Sequence, residues 1–213
     1  MGPKERRTRA REETKTKILD AAREMFVQDG IDAVTMRAIA KRIEYTPTAI
    51  YHHFRDKQAL IEELCLIDFR SLAQAFQRIG RIDDPGEQLR RIGLAYVDYA
   101  LEHPSHYRFM FMTPKPSMPA SSFGISDSDP GSHAYTALRD TVAKGIAAGR
   151  FRPEFDDPEE LAQILWAGVH GIVSLHVVKG GKGDHIDWRN PRETARTMID
   201  VMMRGTVRPP EKG

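Results

Sequence analysis

Adjacent histidines, His52 and His53, are the first histidines along this chain, a residue type that can hold a metal or move a proton; they stand in YTPTAIYHHF, residues 45–54. Neighbours on a helix point about 100° apart, so the two cannot share one ligand field. The His-x-x-x-His spacing that puts two ligands on one helix face is missing there, and no Cys/His cluster supplies others. KGGKGD, residues 179–184, lacks the Ser/Thr and the glycine spacing of a phosphate-binding loop, and no Gly-x-Ser-x-Gly turn occurs. Trp166 and His170 are four apart and share a helix face. They could line an effector pocket with Tyr96, Tyr99, Phe109 and Met112, or they could only pack, with His170 satisfied by a hydrogen bond in the core. Cys65 falls on an apolar helix, where an inert thiol is expected. No catalytic residue, metal site or cofactor is expected, and the chain is read as not an enzyme.

The elements that must position these residues are helices. Ile18, Leu19, Ala22, Phe26 and Val27 fall at helical spacing up to Gly30. Thr35 offers an N-cap for a short helix carrying Ile39, Ala40 and Ile43 inward, and Thr46-Pro47 opens another. Asp56 opens a longer helix that ends at Gly80. Asp84-Pro85-Gly86-Glu87 reads as a capping box, with its helix ending near His103-Pro104. A short helix over 105–112 is expected, then a long loop over 113–131, then a helix from Ser132 to Gly149. Pro158 opens a charge-poor helix expected to be buried on nearly all sides. Asn190 opens a last one, ending before Pro209. The fold class is all-α, about nine helices, with short ones first.

The 213 residues suffice for a core, and the net charge is only +2. No apolar run is expected to reach a membrane-crossing length, and no signal segment is apparent, so a soluble, cytoplasmic protein is expected. A single cysteine fits a reducing compartment. Residues 1–57 carry 13 Lys/Arg against 9 Asp/Glu, densest in KERRTRAR at 4–11. Residues 1–13 read as a basic, disordered arm, either awaiting a polyanion or merely a solvated tail.

Two short helices joined by a tight turn after a longer one form a helix-turn-helix unit. Phe26, Ile31, Val34, Ile39, Ile43, Ile50 and Phe54 supply its core. The second helix, 46–53, begins with Thr46, Pro47, Thr48 and Ala49, small enough to let its backbone approach base edges in a major groove. Over residues 16–64 the chain resembles the DNA-binding domain of TetR-family regulators, on Ile18-Leu19-Asp20-Ala21-Ala22, Phe26, Gly30, Thr35-Met36-Arg37, Ile39-Ala40 and Tyr51-His52-His53-Phe54 with Lys57, Ala59 and Leu60. LWAGVHGIVSLHV, 165–177, resembles the Trp-x-x-x-His-Gly motif of one subgroup. The resemblance implies a homodimeric repressor binding a palindromic double-stranded DNA operator and released by a small effector, here expected to be apolar. It implies phosphate contacts at Thr35, Tyr51 and Lys57, with Arg37 as a further candidate, and base contacts at Thr46, Pro47, Thr48, Ala49 and His52. Where the family turn commonly holds Gly, this chain has Glu44, and the next residue, Tyr45, could reach a phosphate or base. The expected organisation is an arm over 1–13, the helix-turn-helix domain over 14–60, helix 57–79 as link, and an effector-binding and dimerisation domain over 61–208. The dimer is expected to form through 158–178 and 191–205, with Leu161, Ile164, Leu165, Val169, Met198, Val201 and Met202 among the residues buried in the core or in the interface. A helical protein–protein adaptor is the alternative reading.

Overall fold

The computed structural model describes residues 2–116, 134–179 and 185–208. Among these the chain is all-α, with no strand and one isolated bridge, Phe151 to Val207. The helices are α1 (Pro3–Asp29), α2 (Met36–Arg42), α3 (Pro47–Tyr51), α4 (Lys57–Gln77), α5 (Pro85–Glu102), α6 (Pro104–Phe111), α7 (Ala134–Ala147), α8 (Pro158–Lys179) and α9 (Pro191–Thr206). Most of the loop expected over 113–131, and the turn at 180–184, lie outside the described residues.

The caps explain the boundaries. Asp56 accepts from the Ala59 N–H at 2.7 Å and Asp84 from the Glu87 N–H at 2.9 Å. Asn190 takes both the Arg192 and Glu193 N–H groups. The box at Asp84 is half formed, because the Glu87 side chain pairs with Arg91 at 2.7 Å instead of returning to the cap.

Two compact units divide the chain within α4, after Phe69. Among the described residues, the first holds 2–69 and 105–116 and the second 70–104, 134–179 and 185–208. The single domain expected over 61–208 therefore gives up α6 to the first unit. The reason is packing: Phe109 is fully buried and stacks on Phe26 with ring centroids 6.1 Å apart, and Phe69 meets Phe111 edge-on. Ile18, Ala22, Ile39, Ile50, Leu60 and Leu64 complete that core.

A buried ion pair ties α1 to α4. Arg23 Nε and Nη2 each donate to Asp68 at 2.9 Å, and Asp68 is wholly buried. Burial works to lower the Arg23 pKa, but Asp68 and Asp20 raise it on balance. The guanidinium stays charged and its fork is filled.

Three expectations are corrected. The first helix is long, because residues 3–13 are helical instead of disordered. Pro3 sits in the first turn, Glu5 accepts the Gly2 N–H at 2.8 Å, and Arg9 pairs with Glu13 one turn on. α8 is buried along one face only. Leu161, Leu165, Val169 and Val173 face the core, while Ile164, Leu175 and Val178 are 43%, 54% and 57% exposed. α8 is also long and apolar enough, by length and composition, to cross a membrane, contrary to the expectation that no run would be. Its inward stripe packs on α5, α7 and α9.

Small residues set the helix approaches in the second unit. A Cβ on Gly145 would lie 2.4 Å from the Phe151 ring, and one on Gly168 would lie 2.7 Å from Met202 Sδ.

Candidate nucleic-acid interface

Two consecutive cap motifs build the exposed surface of the first unit. Thr35 Oγ1 accepts the Ala38 N–H at 3.1 Å and starts α2. After Ile43, Glu44 adopts a left-handed conformation, φ 60°. Its N–H reaches Lys41 O at 3.2 Å and the Tyr45 N–H reaches Ala40 O at 2.9 Å. This pair of bonds closes a helix around a left-handed residue, a position that favours glycine. Thr46 starts α3 at once, its Oγ1 accepting the Ala49 N–H at 3.3 Å with Pro47 in the first turn.

Buried Ile50 and Phe54 hold α3 and the turn after it to the core. On the other side Tyr45, Thr46, Pro47, Thr48, Tyr51 and His52 are exposed, and Ala49 is half-buried. Tyr51 is 51% exposed and Tyr45 37%, so two amphipathic rings face solvent beside a helix start. No Asp or Glu occurs between Glu44 and Asp56. Small hydroxyls, exposed tyrosines, imidazoles and no carboxylate suit contact with phosphates and base edges. Thr35 and Arg37 are exposed on the flank.

Lys57 is placed differently. Its half-buried ammonium donates to Ile31 O at 2.9 Å and Val34 O at 3.0 Å, fastening the α1–α2 connection that carries Thr35. His53 is half-buried beside α3. Burial, followed by the charges of Arg11, His52 and Lys15, holds its pKa below the usual imidazole range, with Glu12 opposing. Residues of α1 thus face the end of α3. Sequence reasoning misses Arg11 because a disordered arm has no face, and Lys15 because its register depends on that arm being helical; helical spacing of the basic residues is the signal that carries them.

The six residues assigned to an effector site divide between the units. Phe109 and Met112 are in the first, where Phe109 fills the core with the Lys115 ammonium 4.8 Å from its ring centroid. The second unit brings Tyr96, Trp166 and His170 together. Tyr96 Oη and His170 Nδ1 are 2.8 Å apart, and the Trp166 and His170 rings are 5.7 Å apart. Burial pushes the His170 imidazole below its ordinary pKa, so it is neutral at pH 7 and the phenol can donate to Nδ1. Tyr99 is buried, its ring 5.0 Å from that of His103. Tyr135, outside the expected set, lies edge-on to Trp166 at 6.0 Å and donates to Glu159 at 2.5 Å. Burial, then this bond, raises its pKa.

The family profile described as "Bacterial regulatory proteins, tetR family" matches residues 18–64. The profile "Tetracyclin repressor-like, C-terminal domain" matches residues 89–202. HTH-type transcriptional regulator UidR of Escherichia coli K12 is 37% identical over 89 residues, 42% of this chain and 40% of that protein. The chain therefore matches less than half the length of that relative. HTH-type transcriptional regulator Rv1816 of Mycobacterium tuberculosis H37Rv is 25% identical over 201 residues, covering 81% of this chain and 84% of that one. Among solved structures, a protein of unknown function from Rhodococcus sp. RHA1 superposes with TM-score 0.70 at 25% identity, over 91% of this chain and 95% of that one. NalD, the secondary repressor of the MexAB-OprM multidrug efflux pump in Pseudomonas aeruginosa, superposes with TM-score 0.68 at 20% identity, over 92% and 97%, and shares the fold.

Proposed function

The chain belongs to the TetR family of bacterial regulatory proteins, and from that premise we propose that it is a DNA-binding transcriptional repressor. It acts in the cytoplasm as a homodimer on a palindromic operator, has no enzymatic activity, and is released by a small apolar effector. The observation that carries this reading is the Thr46-capped start of α3, with exposed Thr48, Tyr51 and His52 and no Asp or Glu from Tyr45 to Arg55. Thr46, Pro47, Thr48, Ala49 and His52 meet base edges, while Thr35, Arg37, Tyr45 and Tyr51 meet phosphates. Lys57 acts through the turn it fastens, and its hydrogen bonds to Ile31 and Val34 support that role over direct phosphate contact.

Dimerisation falls to the outer faces of α8 and α9. Ile164, Leu175, Val178 and Val201 are exposed there, and Gly171 and Gly205 have open space where a Cβ would point. Such a face suits a second copy of itself. Leu161, Leu165 and Val169 serve the protomer's own core. The Trp166 and His170 pairing, followed by Gly171, supports the Trp-x-x-x-His-Gly subgroup. With Tyr96 and Tyr99 these residues offer an aromatic, uncharged environment to an effector.

Gel shifts on duplexes from the DNA upstream of its own gene, at rising salt, test the reading. One fragment should be retained selectively, with affinity falling steeply as salt rises. The Thr48→Ala/His52→Ala variant should lose that selectivity while keeping most non-selective binding. Full selectivity in the variant would overturn the recognition-helix assignment. Binding that is never selective favours the adaptor alternative.

A further inference from the structure

We infer that the N-terminal half of α1 is a rigid basic rail that lies along DNA phosphates flanking the site read by α3. The inference rests on the DNA-binding reading above and extends it to residues that touch no base. The segment is folded and uncovered: α1 is helical from Pro3, and residues 2–13 are all exposed. At about 100° per residue, Lys4, Arg7, Arg11 and Lys15 fall within an arc of about 80°, spread over about 16 Å of helix. Further along α1 the same arc holds Ile18 and Ala22, both fully buried against the core. The inner end of the stripe therefore turns toward the packed core of the first unit.

Its inner end comes close to the residues that follow α3. Arg11 and Lys15 are the α1 cations that act on His53, just past the end of α3. Glu63 pairs with Lys15 at 2.6 Å. Lys4, Arg7 and Arg11 have no carboxylate partner among the described residues. The acidic residues of the segment are occupied elsewhere or lie at its edge. Glu5 bonds the Gly2 N–H, Glu13 pairs with Arg9 on another face, and Glu12 borders the stripe near His53.

Charge and composition together choose the occupant. Residues 3–17, PKERRTRAREETKTK, contain no large apolar side chain, so the stripe has nothing to insert into a bilayer or a hydrophobic groove. A row of cations beside a recognition helix suits a polyanion of regular spacing. Along one strand of duplex DNA phosphates recur every ~3.4 Å, so ~16 Å of rail spans several. Because the helix is already formed, binding pays little of the ordering entropy that a disordered arm would.

The test compares two charge-matched variants of the full chain. Lys4→Gln/Arg7→Gln/Arg11→Gln empties the rail; Arg6→Gln/Arg9→Gln/Lys17→Gln removes equal charge from the opposite arc. Circular dichroism first establishes that both keep the helix content of the parent. Binding is measured against salt on a random-sequence duplex pool of about 40 base pairs, and on the sequence that the unaltered protein enriches from that pool by repeated selection. Each lost phosphate contact should reduce the slope of log K against log salt by about 0.9. The rail variant should lose about 2–3 in slope, with preference for the enriched sequence kept within about twofold. The opposite-arc variant should lose less than about 1. Equal losses in the two variants, or a rail slope within about 0.5 of the parent, would overturn the rail. If no sequence is enriched, the operator-binding reading falls, while the slopes on the unselected pool still decide the rail.

Discussion

At the scale of single residues, burial decides which polar groups act inside the protein and which act outward. Lys57 looks like a phosphate ligand in sequence, yet its ammonium is spent on the carbonyls of Ile31 and Val34. It holds the loop bearing Thr35 by a charge-assisted bond that a shorter or uncharged side chain could not make. The histidines divide in the same way: His52 is exposed on the recognition surface, while His53 and His170 are partly buried, each with its pKa held below the usual range. For His170 the cause is burial, and the sign of its effect on stability follows. The unfolded chain takes up a proton near pH ~6.5 that the folded chain refuses. The contribution of His170 is therefore intact above ~6.5 and is lost as pH falls from there through the lower pKa of the folded state. His53 pulls in the same direction. His170→Gln, which keeps a group able to accept from Tyr96, should melt with a smaller drop between pH ~7.5 and ~5.5 than the parent. An equal drop would mean that the folded protein lets this imidazole charge as freely as the unfolded chain does.

At the scale of elements, the turn between α2 and α3 shows local preference overruled by its surroundings. Ile43 ends one helix and Thr46 starts the next, so the two residues between them must reverse the chain, and Glu44 is held left-handed. A Cβ there costs about 1–2 kcal/mol relative to glycine, offset partly by the greater freedom of unfolded glycine. Glu44→Gly should therefore raise stability by about 0.5–1 kcal/mol in urea unfolding followed by circular dichroism. A loss of stability would mean that the Glu44 side chain makes a contact worth more than the strain. Most helix boundaries were legible because they are chemical: Thr35, Thr46, Asp56, Asp84 and Asn190 each accept an N–H that would otherwise lack a partner. The candidate interface was legible for the same reason, since its cap and its small residues are local. The N-terminal part of α1 was not legible, because it has no apolar stripe and only its basic residues recur at helical spacing; its support comes from Glu5, Glu13 and continuity with the rest of the helix. Nor was the docking of α6 on Phe26, which joins residues far apart in sequence and depends on which of several apolar faces meet.

At the scale of the whole molecule, one feature is at odds with a solitary chain. α8 is apolar on both sides, and the side carrying Leu161, Ala162, Leu165, Val169 and Val173 is the covered one. Leu175 and Val178 on α8 and Val201 on α9 are each more than half exposed. Two packed helices that present such a face to water gain about 25 cal/mol for each Å² of apolar surface a second copy removes. Two-fold self-association would also bring two α3 helices into one assembly, and a palindrome with half-sites ~34–36 Å apart demands two. Leu175→Glu/Val201→Glu should therefore leave the helix content unchanged, since neither side chain enters the protomer core, and yet sediment as a monomer at about 10 μM where the parent is a dimer. Facing carboxylates would have to be buried without partners in the assembled state, a penalty of several kcal/mol per pair. The same variant should bind a full palindrome no more tightly than a single half-site, because one protomer can engage only one groove at a time. A variant that stayed dimeric would show that the pairing surface lies elsewhere, and a parent that sedimented as a monomer would remove the geometric basis for palindrome recognition altogether.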